Sequence, residues 1–221
     1  MKKVILSLAI VAISTMSFAQ TIGVQVGGNL ASTSYKTDNS GGATLSTKSK
    51  LGFIIGVVGE VPIASSLSFR PELNFIQKGL KLTQGTSEAT STLNYLELPL
   101  NIVYNTEAGS GKFFFGAGPS IGFGLSGTDK RTEGSNVTST GVKFDGKTDA
   151  EANDNKDHLK AIDFGFNLLA GYKFENGLFA NIGYAFGLNN ISPENGVSQK
   201  NSGLCLKVGY MFMQSAKKAK K

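Results

Sequence analysis

"LNYLELPLNIVYN", residues 93–105, sorts its side chains into two sets by strict alternation. Leu96, Leu98, Leu100, Ile102 and Tyr104 form one set, and Tyr95, Glu97, Pro99, Asn101 and Val103 the other. A period of two is the signature of a β-strand whose faces meet different surroundings. One face here is an unbroken apolar row, and the opposite face sets a carboxylate beside a proline.

The same alternation recurs along the chain. It predicts eight strands, at about residues 21–31, 51–61, 67–77, 93–105, 112–125, 161–174, 178–188 and 203–212. In the third, Leu67, Phe69, Leu73 and Phe75 oppose Arg70, Glu72 and Asn74. In the fifth, Phe113, Phe115, Ala117, Ile121, Phe123 and Leu125 oppose Gly116, Gly118, Ser120, Gly122 and Gly124. No segment after Gln20 has the 3.6-residue period of a convincing helix. The connections alternate in length: residues 62–66, 105–111 and 175–177 are short, and residues 35–50, 78–92, 126–160 and 189–202 are long and polar. An even strand number, with short turns at one end and long loops at the other, is the plan of a transmembrane β-barrel. Strands of about ten residues suit a tilted crossing of the bilayer.

The two faces decide between a membrane barrel and a soluble one. Eight strands leave an interior just wide enough to be filled by side chains. The large aromatic side chains of the apolar face would overfill it, whereas facing lipid they need no internal fit. Tyr104, Phe113, Tyr172, Phe174 and Phe212 at the short-turn end, with Phe75 and Phe123 toward the loops, resemble two interfacial girdles without tryptophan. The expected fold is therefore all-β: an eight-stranded antiparallel transmembrane β-barrel of the outer-membrane type.

The first twenty residues, "MKKVILSLAIVAISTMSFAQ", have a basic start, a short apolar run and a small-x-small ending at Ala19. This is the pattern of a signal peptide over residues 1–19, too short in its apolar run to span a bilayer. The barrel is then expected over residues 20–213, with a basic tail at 214–221. Of the 22 Lys and Arg, two lie in the signal and four in the tail, which leaves 16 against 16 acidic residues. A neutral body excludes nucleic acid as a partner, since that needs basic residues clustered on a folded surface. The single cysteine, Cys205, allows no internal disulfide and is expected to face the lumen.

Charges on the inner face must be paired. Glu60, Glu72, Glu97 and Asp163 stand there against Arg70, Lys112, Lys173 and Lys207. The expected lumen network comprises Arg70, Glu72, Glu97, Lys173, Lys207 and Asp163. Within it the fork of Arg70 bridges Glu72 and Glu97 on adjacent strands. A proline in a closed barrel has no edge to hide its missing N–H, so a bulge or lost ladder bond is expected at Pro99.

"FRPELNFIQKG" (69–79), "NYLELPLNIVY" (94–104), "FFFGAGPSIGFGL" (113–125) and "YAFGLNNIS" (184–192) resemble the small outer-membrane β-barrel proteins labelled porin family or PorT-like. The OmpX and OmpA barrels are their architectural cousins. The resemblance implies insertion into outer-membrane lipid by the barrel assembly machinery, a monomer, and a surface or secretion-system partner. A lumen filled by side chains conducts little, so a structural or surface-interaction role through the long loops is expected; the resemblance implies an accessory role in secretion as the alternative, with a narrow channel or a small outer-membrane enzyme behind it.

No catalytic residue, metal ligand or cofactor site stands out. His158, the sole histidine, is expected to be a solvated loop residue. "DAEANDNKD" (149–157) lacks the glycine and terminal glutamate of an EF-hand and is expected to be a solvated acidic loop. The glycines of the fifth strand precede no helix, so they cradle no phosphate.

Overall fold

The computed structural model describes residues 21–37, 44–45, 48–84 and 87–212. The expected signal peptide and basic tail lie outside these residues. The elements are β1 (Thr21–Thr37), β2 (Thr44–Leu45), β3 (Lys50–Pro62), β4 (Leu67–Gln84), β5 (Ser87–Ala108), β6 (Gly111–Glu133), β7 (Asn136–Lys143), a single helical turn α1 (Asp149–Ala152), β8 (Asp157–His158), β9 (Ile162–Phe174), β10 (Leu178–Gly187) and β11 (Val197–Phe212). Antiparallel pairing runs β5-β4-β3-β1-β11-β10-β9-β6, and β6 pairs back onto β5. These eight strands close a ring, so no edge is left to template aggregation. The first and last close it directly, from Ile22 opposite Phe212 to Thr37 opposite Val197.

The alternation of the quoted stretch is realised in β5. Tyr95, Glu97, Pro99, Asn101 and Val103 are buried inside, while Ile102 and Tyr104 are exposed outside. Around the ring, the large residues left exposed are aliphatic or aromatic, including Val24, Phe53, Phe115, Leu168, Ile182 and Leu206. The residues buried inside include Gln25, Asn29, Arg70, Glu72, Asn181 and Lys207. Apolar surface outside and charge inside is the arrangement a bilayer requires. No helix among the described residues is long and apolar enough to cross a membrane; the strands do the crossing.

Two long connections are ordered differently from expectation. β4 and β5 continue as a regular ladder to Gln84 opposite Ser87, so the expected loop at 78–92 is mostly a hairpin extension. β6 likewise runs on to Glu133 and turns into β7. Apolar alternation ends where the strands leave the bilayer. The backbone bonds continue because Ser, Thr and charged residues tolerate both faces in water.

Three of the chain's five prolines interrupt the wall on one diagonal. The β3–β4 register skips from Val58–Glu72 to Val61–Phe69, across Pro71. The β4–β5 register skips from Asn74–Glu97 to Pro71–Leu100, across Pro99. The β5–β6 register skips from Pro99–Ser120 to Ile102–Ala117, across Pro119. Each proline lacks the N–H that the facing carbonyl would accept, which costs the ladder one bond. The facing carbonyls are those of Gly59, Glu72 and Leu100.

Candidate functional site: the filled lumen and the hairpin rim

Side chains fill the lumen in layers. Nearest the short-turn end, Glu60 accepts from Lys173 Nζ at 2.8 Å through both oxygens. Glu72 accepts from Lys207 Nζ at 2.5 Å, from Gln25 at 2.7 Å and from Asn74 at 3.0 Å. Arg70 lies between these carboxylates, 4.0 Å from Glu60 and 3.8 Å from Glu72. Its guanidinium is 0% exposed and sandwiched between the rings of Phe114 and Phe179, 4.6 Å from each centroid. Stacking on two desolvated rings holds the cation where hydrogen bonds do not. Glycine makes the sandwich possible. A Cβ on Gly171 would strike the Phe114 ring, and one on Gly209 the Phe179 ring.

Higher in the lumen, Lys78 Nζ lies 2.5 Å from Glu97 and 3.1 Å from Asp163, over the face of Tyr95 at 5.1 Å. Asn201 donates to Asp163 at 3.0 Å. Between the two ion clusters is a cavity of about 30 Å³ lined by Glu97, Asn101, Asn167 and Asn181, among others. Oδ1 of Asn101, Nδ2 of Asn167 and both amide atoms of Asn181 have no protein partner. A polar cavity of this size is suited to ordered water.

The six residues expected to form one network thus divide into two clusters. Arg70, Glu72, Lys173 and Lys207 belong to the lower, joined by Glu60. Glu97 and Asp163 belong to the upper and are held by Lys78. The expected Arg70–Glu97 bridge is absent, because the stagger of β4 against β5 puts Lys78 beside Glu97. Lys112, expected in the lumen, instead pairs with Glu107 on the exposed short-turn rim. Cys205 does face the lumen, its thiol 3.5 Å from Asn29 Oδ1.

An apolar plug covers the upper cluster. Val142, Leu159 and Ile191 pack with Leu93, Tyr95, Ile54 and Ile76, and Phe144 joins them. Phe144 meets Tyr95 edge to face at 5.2 Å. Backbone bonds tie the plug down: Gly124 N to Ala161 O at 2.8 Å, Lys160 N to Ile191 O at 2.8 Å and Leu159 N to Lys143 O at 2.8 Å. The "NNIS" of the fourth quoted motif builds its other side. Asn189 bonds the backbone of Ile162 and Phe164 as a further strand residue would, and the Asn190 side chain closes the next turn onto Val197, Ser192 and Gln199. Ile191 is thereby turned into the plug.

His158 corrects the expectation of a solvated residue. Its side chain is 1% exposed, with Nδ1 2.7 Å from Asp145 and Nε2 3.1 Å from Asp154. The Asp145 carboxylate, then Asp154, raises its pKa above the ordinary value. Asp154 is lowered to about 2 by Lys143 first and His158 second. The expected acidic loop is partly structured as well: Thr148 and Glu151 form a capping box on α1, and Asp149 N donates to Glu194 at 2.7 Å. Above the plug lies a cleft of about 350 Å³ among the hairpins, with Tyr35, Leu82, Asp129, Arg131, Asp157 and Glu194 in its walls. Burial raises Asp129 to about 6, and neighbouring Asp157 adds to the shift. No group of three or more His, Cys, Asp or Glu residues among those described could hold a metal ion.

A family model for the outer membrane protein beta-barrel domain matches residues 18–192. The chain belongs to that family. Its barrel sits in the outer-membrane bilayer of a bacterium, and the long hairpins of this barrel type lie on the extracellular side. Similar solved structures include OprG from Pseudomonas aeruginosa, at 12% identity, covering 89% of this chain and 97% of that one with a TM-score of 0.49. Neisserial surface protein A is similar at 13% identity, covering 86% and 97%, with a TM-score of 0.43. Ail of Yersinia pestis, solved with the heparin analogue sucrose octasulfate, is similar at 14% identity, covering 88% and 100%, with a TM-score of 0.40. No curated protein matches the chain.

Proposed function

We propose that this outer-membrane barrel is a non-enzymatic surface platform, a rigid filled cylinder that holds long hairpins outside the cell as a contact surface. The observation that carries the reading is the filling of the lumen at successive levels: the Arg70 cluster, the Lys78 cluster and the apolar plug under Phe144. A barrel packed this way has no continuous aqueous path for a solute. The recess left at the extracellular end is the cleft among the hairpins, where a contacting molecule meets β4, β5, β6 and the β10–β11 connection together. His158, the sole histidine, has a carboxylate on each ring nitrogen, which leaves neither nitrogen free to act as a base.

Planar-bilayer recording of the refolded protein tests the filled lumen, and the expected trace is indistinguishable from lipid alone. Sustained channel openings by the wild-type protein would refute the platform reading. A strain in which the tips of the β4–β5 and β6–β7 hairpins are exchanged for short turns is expected to lose surface attachment while keeping a heat-modifiable barrel. A deletion strain that loses secretion of other proteins while attachment stays intact would favour an accessory role in export.

A further inference from the structure

On one wall of the barrel, lysines sit close together above the lipid-facing band. Lys36 of β1 and Lys200 of β11 are diagonal neighbours, in a register that pairs Lys36 with Ser198 and Ser34 with Lys200. Both are exposed, in phase with the outward Leu30 and Leu204 of their strands. Lys48, just ahead of β3, bridges directly opposite Lys81 of β4 through backbone bonds of 2.7 and 3.0 Å. Directly opposite residues share a face, and like charges so placed repel. Lys81 is compensated by Glu88 at 2.7 Å, but no ion pair among the described residues involves Lys36, Lys48 or Lys200. Among the described residues the periplasmic rim has no such row. There Lys112 pairs with Glu107, and Lys173 turns inward to Glu60.

Lys36 and Lys200 on β1 and β11, and Lys48 opposite the Glu88-paired Lys81, bring like charges together with no described carboxylate for three of the four, and an anion between them relieves the repulsion. We propose that this wall binds the phosphate groups of anionic lipid headgroups in the outer leaflet. Height supports the assignment. Lys200 lies four residues past the outward Leu204, which is roughly 13 Å along the strand and about 9 Å of height at a tilt near 45°. The flexible stem of lysine reaches back from there to the headgroup layer, and its ammonium recognises phosphate as a point charge. Direction supports it too. Lys36 and Lys200 are in phase with the outward residues of their strands and Lys48 is exposed, where lipid is the neighbour, whereas a soluble partner meets the hairpin tips and the cleft.

The test uses the full chain in phosphatidylcholine vesicles doped with spin-labelled phosphatidic acid or spin-labelled phosphatidylcholine. The wild-type barrel is expected to retain the anionic probe about fivefold over the zwitterionic one. K36Q/K48Q/K200Q is expected to reduce that preference to less than about twofold, with heat-modifiable mobility confirming that the variant is folded. The single variant K112Q, on the opposite rim, is expected to keep the full preference. Equal retention of both probes by the wild type overturns the proposal, as does a preference that survives in the triple variant. Loss of the preference on adding inorganic phosphate, but not chloride of equal ionic strength, reassigns the lysines to a free anion and overturns the lipid assignment. Capture of an acidic soluble protein through the same three lysines, with no lipid preference, also overturns it.

Discussion

Replacing Lys78 by methionine probes the lumen most directly. The ammonium is the one cation placed against both Glu97 and Asp163, at 2.5 and 3.1 Å, and Lys78 is 8% exposed. Methionine keeps the apolar stem and removes only what the ammonium makes, its two ion pairs and its place over the Tyr95 ring, so the change isolates the charge. It leaves two buried carboxylates without a counter-ion. Breaking a buried pair costs about 3–5 kcal/mol. Asn201 still donates to Asp163, and one carboxylate can take up a proton, so the lower figure applies: about 3 kcal/mol, or roughly two decades in the folding equilibrium. The chain has no tryptophan, so the readout is urea unfolding followed by circular dichroism and heat-modifiable mobility. Adding Glu97→Gln to Lys78→Met is expected to recover at least ~1 kcal/mol, because the pair is coupled. Arg70→Leu and Glu97→Gln share no partner, so their effects are expected to add within about 0.5 kcal/mol. A loss below about 1 kcal/mol for Lys78→Met refutes the reasoning. So does an Arg70–Glu97 coupling as large as that of Lys78 with Glu97.

Phe144→Ala removes the ring that covers Tyr95; about 3 kcal/mol of local stability is expected to be lost, read as faster exchange of the Gly124 and Leu159 amides with little change in the global urea midpoint. The His158 titration, followed by NMR, is expected to have its midpoint above the ordinary value of about 6.5. The stability that His158 lends the plug is then fully present below its unfolded pKa and lost as pH rises through the raised one, whereas that of Asp145 and Asp154, both lowered, is lost in acid; amide exchange at Leu159 should be slowest between those limits. Asp129, raised to about 6, contributes most below its unfolded value near 4 and loses that contribution as pH rises through 6, so Asp129→Asn should flatten this part of the exchange profile. Pro99→Val gives the Glu72 carbonyl a donor and is expected to stabilise the barrel by about 1 kcal/mol in urea unfolding.

Period-two alternation made the wall readable in advance, because lipid and lumen impose opposite chemistry on alternate residues. Leu96 to Tyr104 is the clear case. It also identified the inward charges, but it could not pair them. Pairing depends on the stagger between strands, which one strand's phase does not encode, and Glu97 therefore met Lys78 where Arg70 was expected. Lys78 itself was hidden because apolar alternation stops at Gln77, although the ladder runs on. Phe114 and Phe179 were masked by the outward apolar rows of Phe113, Phe115 and Leu178 beside them; the one available clue was a phenylalanine in the small-residue phase. His158 was misplaced for a different reason. It is paired beside Lys143 in a segment anchored by Val142, Phe144 and Leu159, three apolar residues dispersed through a long polar stretch, and only their convergence on Tyr95 makes a core.

The lower ion cluster ties charge balance to the order in which the chain is made. Glu60 and Glu72 lie on β3 and β4, but their ammonium partners arrive on β9 and β11. Until the last strand docks between β1 and β10, Glu72 has no Lys207 and only Arg70, 3.8 Å away, beside it, so the half-built sheet is one cation short of the finished interior. Closure of the final seam and neutralisation of the interior are therefore a single event. A truncated chain, or one whose last strand docks out of register, would keep that missing cation as a penalty against entering the bilayer. The barrel's own interior thus distinguishes a completed cylinder from an unfinished one.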